Sequence, residues 1–477
     1  MLRHLPVGVL VAVCGLLLVG CSVREAKPSA LPSAASLGAC REQLASLDRQ
    51  VDRAGVRDVD SVAIPGLPFL RVNRLLASFS TESLAPAARA QWLQALATLD
   101  AEGRRVELAA LKAPAATVAN IDRCRATLLA DLTQDSSAFE RLRAAARVPD
   151  AYSFTARMLG LYPVAAFFAR QGVTTLQMRE APRPGVHLAP TARLYASPPV
   201  AATALAAATT AFASAPRDAL GISRPSPATL QSLLAAHAPT WAVDALSDAD
   251  RIGRMAHDAN ARAVLKPEPS LYVWISQTRF EQQVLTQLNY LVWFAARAPQ
   301  GAFDPLAGAF DGLVWRVTLD ADGQPLLWDS VHACGCYHLW FPGPRLKQRA
   351  LADGTEPPWV PFRLALTGRP GLQIDAGTHY LKGVGPAPAG PAEALAVLNY
   401  DALRQLPDGR GGVRSLFAAN GLLEESVRPE RWLLWPLGVP SAGTMRQRGH
   451  QATAFIGRRH FDDARGIERY FERNSGD

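Results

Sequence analysis

Gly312-Leu-Val-Trp-Arg-Val-Thr-Leu319, Asp320-Ala-Asp-Gly323 and Gln324-Pro-Leu-Leu-Trp-Asp-Ser-Val331 together decide the fold class. Two runs rich in β-branched and aromatic residues flank an Asp/Gly turn, the pattern of a β-hairpin. Outward from it, eight of the ten tryptophans fall between 274 and 435, and Leu271–Ser276 alternates as a strand. Val284–Phe294 is an apolar run that periodicity alone leaves open between strand and buried helix. Phe362–Leu366, His379–Val384, Arg431–Leu437 and Ala452–Ile456 are further strand candidates, and Ala464–Arg473 reads as a terminal helix. Residues 266–477 are therefore expected to form a Trp-rich α+β domain with a mainly antiparallel sheet and flanking helices.

Upstream the character is different. Residues 39–180 are dominated by Leu and Ala, with amphipathic stretches near 40–55, 86–112, 117–146 and 151–171, and predict an N-terminal helical bundle. Residues 181–265 carry recurrent prolines and an Ala/Thr-rich run, and read as a connecting region with short helices such as Pro227–His237.

The first residues set an address. Arg3 and His4 precede an apolar run from Leu5 to Val19, too short for a membrane span and of the length of a signal-peptide core. The run ends in Leu18-Val19-Gly20-Cys21, which resembles a bacterial lipobox. That resemblance implies a signal peptide over 1–20, acylation of Cys21, and a lipidated tether over 21–38 facing the periplasm. Ser22, where Asp resembles an inner-membrane retention signal, favours the outer membrane. The formal net charge of +8 is modest for 477 residues and does not point to nucleic acid.

Export gives the cysteines meaning. With Cys14 in the signal peptide and Cys21 acylated, Cys40, Cys124, Cys334 and Cys336 remain for an oxidising compartment. Cys40 shares a helical face with Leu44, Leu47 and Val51, and Cys124 with Ile121, Leu128 and Leu132, so two helices would bring this pair into a disulfide. His332-x-Cys334-x-Cys336-x-His338 follows the hairpin directly. Three readings stand side by side: a zinc or copper site completed by His379, His450 or His460, a Cys334–Cys336 disulfide kinked at Gly335, or plain core. Four alternate positions on an extended strand span about 20 Å, so a single ion requires a bend at Gly335. A second cluster, Arg446, Arg448, Arg458 and Arg459 with His450 and His460, suits an anion site or a solvated edge strand.

Ile64-Pro-Gly-Leu-Pro-Phe-Leu-Arg-Val-Asn73, Gln287-Leu-Asn-Tyr-Leu-Val-Trp-Phe294, Asp311-Gly-Leu-Val-Trp-Arg-Val-Thr-Leu319 and His332-Ala-Cys-Gly-Cys-Tyr-His338 together resemble a family of uncharacterised proteobacterial envelope lipoproteins, over most of the mature chain. That family has no assigned activity, so the resemblance implies location and no mechanism. Nucleophile-elbow, zinc-protease, P-loop and dinucleotide motifs are absent from the sequence. Two functions follow as expectations: a membrane-anchored envelope binding or scaffold protein with an envelope partner, or a metal-dependent periplasmic hydrolase that keeps an open ligand position for water at 332–338.

Overall fold

The hairpin around Gly323 lies inside a six-stranded sheet in the computed structural model, which describes residues 33–352 and 355–474. Val314 faces Val331, Trp315 faces Ser330 and Val317 faces Trp328 across the pair. The sheet runs in the order Leu339–Pro342, Pro325–His332, Gly308–Leu319, Gln283–Arg297, Ser270–Phe280, Ala396–Asn399. Neighbours are antiparallel except the last strand, which lies parallel to Ser270–Phe280. The fold class is α+β.

This sheet is covered on both faces. One face sets Tyr290, Val292, Leu313, Trp315 and Val317 against Trp241, Val243, Leu372 and Ile374 of a second six-stranded sheet. The other sets Leu291, Trp293, Val314 and Val331 against Tyr400, Leu403, Phe417 and Met445. Two dry faces explain the apolar-rich run at Val284–Phe294, which is strand and not helix, because neither set of alternate residues meets water.

The second sheet changes the expected organisation. Its order is Glu393–Ala394, Ala192–Ala196, Thr240–Asp244, Pro370–Ile374, Leu381–Pro386, Arg183–Pro184, with parallel and antiparallel neighbours mixed. The region 181–265 is thus not merely a connection: it supplies three of these strands, and its helices Ala202–Ala213 and Pro227–His237 place Phe212 and Leu233 in the shared core. Other local expectations are also corrected. Arg431–Leu437 is a short helix followed by a 3-10 turn, Phe362–Leu366 forms no strand, and Ala452–Ile456 keeps a single bridge between Ala452 and His460. At the end, a short helix Gly466–Tyr470 gives way to a strand, Phe471–Arg473, paired with Leu346–Gln348.

Helices Ala34–Ala54, Pro86–Ala110, Ala115–Gln134 and Ser136–Ala145 bury Leu44, Val51, Trp92, Leu96, Leu128 and Leu142 in one cluster. The first begins at Ala34, capped by the Ser33 hydroxyl, so residues 34–38 of the expected tether are helical. A small hairpin, Val62–Ile64 with Leu67–Val72, interrupts the helices. Cys40 and Cys124 are disulfide-bonded with α-carbons 5.0 Å apart. Leu220, Ile222, Val284 and Ala464 join the same apolar cluster, and Arg404 reaches back to Asp58 at 2.7 Å. The helices and the sheets therefore share core and ion pairs. The signal peptide and Cys21 lie outside the described residues. Among the described residues no helix is long and apolar enough to cross a membrane.

Candidate functional site

The stretch after the hairpin turns back on itself. The Gly335 amide donates to the His332 carbonyl at 2.7 Å and the His332 amide to the Cys336 carbonyl at 3.0 Å. Gly335 has φ +99°, and a β-carbon there would lie 2.4 Å from the Ala452 carbonyl oxygen. Only glycine fits this reversal. Its result is divergence: His332, the two thiols and His338 end in three separate settings.

His332 Nδ1 lies 3.3 Å from Asp311 Oδ1, and the other oxygen of Asp311 is 3.1 Å from His379 Nδ1. His379 Nε2 is in turn 3.3 Å from Asp250 Oδ1, and its ring stacks on Phe294 with centroids 4.0 Å apart. The sequence therefore does bring His379 to this place, but through a shared carboxylate. Phe310, Tyr337 and His379 all hold positive φ, a concentration of strained backbone around Asp311. Burial opposes charge on Asp311, yet His332, Arg428 and His379 hold its carboxyl well below the usual range. Burial likewise opposes charge on His379, but its bonds to Asp250 and Asp311 prevail and raise it. Burial lowers His332, and its Nε2 has no partner among the described residues. Ser330, His332, Tyr337, Trp359 and Tyr380 line a pocket of about 250 Å³ between the two sheets. Tyr337 and Tyr380 touch through their hydroxyls, and Arg297 donates to Tyr380 at 3.1 Å.

His338 Nε2 lies 2.9 Å from Asp329 Oδ2, a carboxylate also bound by Arg316 at 2.9 Å. Burial pushes this imidazole down to about 4. Cys334 and Cys336 are free thiols beside a small apolar pocket walled by Leu434, Leu437, Val439 and Phe455. His450 is held by the Val59 carbonyl at 2.8 Å, and His460 by Asp150 and Asp463 at 3.2 and 3.3 Å. The expected zinc or copper centre at His332, Cys334, Cys336, His338 and His379 is thereby corrected. Among the described residues no group of three or more His, Cys, Asp or Glu is arranged to hold a metal ion. The cause is local: His332 and His379 are held on opposite oxygens of Asp311, His338 is held by Asp329, and the thiols lie in a different pocket.

The basic cluster is corrected as an anion site. Arg448 pairs with Asp60 and Asp401 at 2.6 and 2.8 Å, Arg458 with Asp150 at 2.7 Å, and Arg459 with Glu356 at 3.1 Å. Their charges are already met by the fold. Arg446 differs: it is buried and donates to the carbonyls of Pro440 and Ser441.

One feature was hidden in the sequence. Helix Phe154–Leu159 and helix Tyr162–Glu180 pack against the segment 430–438, with Arg157 donating to the Leu437 carbonyl at 2.8 Å. The longer helix buries only Ala166. Phe154, Met158, Leu159, Leu161, Phe167 and Phe168 stand in water beside Trp432 and Leu433, with Leu159 73% and Trp432 67% exposed. Arg431 covers the Trp432 ring at 4.6 Å, and Arg170 is exposed on the helix. The apolar residues of 151–171 announced an amphipathic helix, and only the packing shows that the apolar side faces outward. No protein-family model, curated protein or solved structure matches the chain.

Proposed function

We propose that this chain is a lipid-anchored protein of the bacterial envelope that docks on a bilayer and acts as a binding or scaffold protein there. The exposed apolar face of helices 154–159 and 162–180 with segment 430–438 carries the reading. Monomeric proteins rarely leave so much contiguous apolar surface in water, and such surfaces mark contact sites. Tryptophans at its edge and arginines beside it match the chemistry of the lipid–water interface.

The sequence supports the same occupant. A lipid on Cys21 leaves about thirteen residues before Ala34, a leash of at most ~45 Å, so the body stays near the bilayer surface. A lipobox cysteine resembles the case of two acyl-type anchors, which keep a protein on the bilayer, and the part assigned to the apolar face is to orient the body against that surface. The helices of 39–145 form, in this reading, a bundle-like module beside the sheets. The outer membrane, seen from the periplasm, is the assigned location, in keeping with the resemblance to envelope lipoproteins.

The test uses the mature chain carrying Cys21→Ser and vesicles of phosphatidylethanolamine and phosphatidylglycerol. The protein is expected to sediment with vesicles and to shift its tryptophan emission to the blue. The triple variant Phe167→Ser, Phe168→Ser, Trp432→Ser should lose at least ten-fold in binding while its circular dichroism stays unchanged. Equal binding by this folded variant, or no binding by either protein, would defeat the docking reading. The lipid is tested separately, by the mass of the N-terminal peptide from native membranes.

A further inference from the structure

Cys334 and Cys336 are two free thiols that the turn at Gly335 keeps together. The Cys336 amide donates to Cys334 Sγ at 3.4 Å, which holds the two thiols side by side across the turn. A pair in contact behaves unlike two separate buried cysteines, since one thiol can stabilise the thiolate of the other.

Their surroundings favour that thiolate. Arg446 is 6% exposed, its Nε has no partner, and among the described residues no carboxylate pairs with it. The groups whose charge it feels are the two thiols and Tyr152. The other charged groups facing the thiols are Arg428, Glu430 and Asp311. Asp311 is already balanced by His332, His379 and Arg428. Burial pushes Glu430 up to about 7, so below neutrality it brings no charge. The neighbouring Cys336 and then Arg428 increase the acidity of Cys334 against its burial, while the Cys334 neighbour and burial push Cys336 well up. Both thiols line a small apolar pocket behind Leu434 and Leu437, and Cys336 is the partly exposed member of the pair.

We propose that Cys334 and Cys336 are a reversible dithiol–disulfide centre that exchanges electrons with a disulfide-bearing molecule. The Cys334 thiolate attacks one sulfur of the incoming disulfide, forming a mixed disulfide and expelling a thiolate. The Cys336 thiol gives up its proton to that leaving thiolate. Its own thiolate then attacks Cys334 Sγ, closing the Cys334–Cys336 bond and releasing the second half as a thiolate that takes a proton from water. The chain loses two electrons and two protons, and the disulfide gains them. Arg446 acts as a positioning residue for the anion on Cys334. The Cys40–Cys124 bond takes no part. This centre is independent of whether the chain is lipidated.

Glutathione is the probe. The mature chain with Cys21→Ser is equilibrated in buffers of reduced and oxidised glutathione, quenched in acid, denatured, alkylated and digested. The peptide holding Cys334 and Cys336 is expected to pass from two alkylated thiols to one intramolecular disulfide, while Cys40–Cys124 stays closed throughout. Cys336→Ser should trap glutathione on Cys334 at least ten-fold more than Cys334→Ser traps it on Cys336. In Cys336→Ser, the alkylation rate of Cys334 should rise with a midpoint below the ordinary thiol value of about 8.5, and adding Arg446→Gln should move that midpoint up. Wild-type thiols that ignore glutathione and react with alkylator only after unfolding would overturn the proposal. So would equal trapping by the two single variants.

Discussion

Glu430 shows how a single buried group reports on the fold. Burial is the main cause that lifts its carboxyl to about 7, against the pull of Arg428 and Arg297 and with the push of Asp311 and Asp304. In the unfolded chain the same group ionises near 4.5. Its folded value is raised, so its contribution to stability is whole below about pH 4.5 and is lost as pH rises through 7. Glu430→Gln, which stays neutral, should therefore match wild type near pH 4.5 and exceed it at pH 8 by about 3 kcal/mol. Urea midpoints at the two pH values measure this, and parallel pH slopes for both proteins would contradict it. The residues of the polar centre divide sharply in how far they could be read beforehand. His332 and His379 stood out as imidazoles near strand ends. Asp250 and Asp311 did not, because the partnership between them arises only where two sheets meet, from positions far apart in the chain. The thiol pair and Gly335 were legible from their spacing, whereas the solitary Arg446 looked like one more member of a basic run.

Elements were legible where one face alone was buried. The apolar spacing around Cys40 and Cys124 placed each on the inner side of a helix, and the disulfide joins those helices across 84 residues. Closing so long a loop restricts the unfolded chain, worth up to about 4–5 kcal/mol on the chain-entropy model and more often 2–4. The double variant Cys40→Ser, Cys124→Ser should lose stability in that range in chemical denaturation, and reductant should bring wild type down to the same level. A variant as stable as wild type would mean that the bond adds nothing to the helices around it. Where both faces are buried, periodicity vanishes, which is why Gln283–Arg297 read as either strand or helix. The opposite failure befell Arg431–Leu437, whose apolar run suggested a buried strand although Trp432 and Leu433 lie in solvent. Of the second sheet only Leu381–Pro386 was foreshadowed, by the strand candidate His379–Val384. Its strands are short, set among prolines, and its central contact pairs Thr240–Asp244 with Pro370–Ile374, a partnership no local pattern encodes.

At the scale of the whole molecule, the long sheet is the layer on which everything else rests. Trp315 is fully buried on the face that meets the second sheet, and its removal leaves a void that neither sheet can fill. Trp315→Ala should cost about 3–5 kcal/mol. Because the helices share an apolar cluster and the Arg404–Asp58 pair with the rest, far-ultraviolet dichroism should follow one transition and not two. Two separated transitions would mean that helices and sheets fold apart. The Tyr162–Glu180 helix is the exception to this mutual support, since Ala166 is its one buried residue. Its ends are tied down, the Gly457 amide donating to the Tyr162 hydroxyl at 2.7 Å and Lys382 pairing with Glu180 at 2.6 Å, but between them its 19 residues rely mostly on their own backbone hydrogen bonds. Such a segment opens locally at small cost, so its amides trade hydrogen for deuterium while those of the layered sheets remain closed. On a lipid surface the same helix acquires the neighbours it lacks in water. Slowed exchange in these amides alone is then a clock for arrival at the bilayer, read from a part of the chain that the cores never hold.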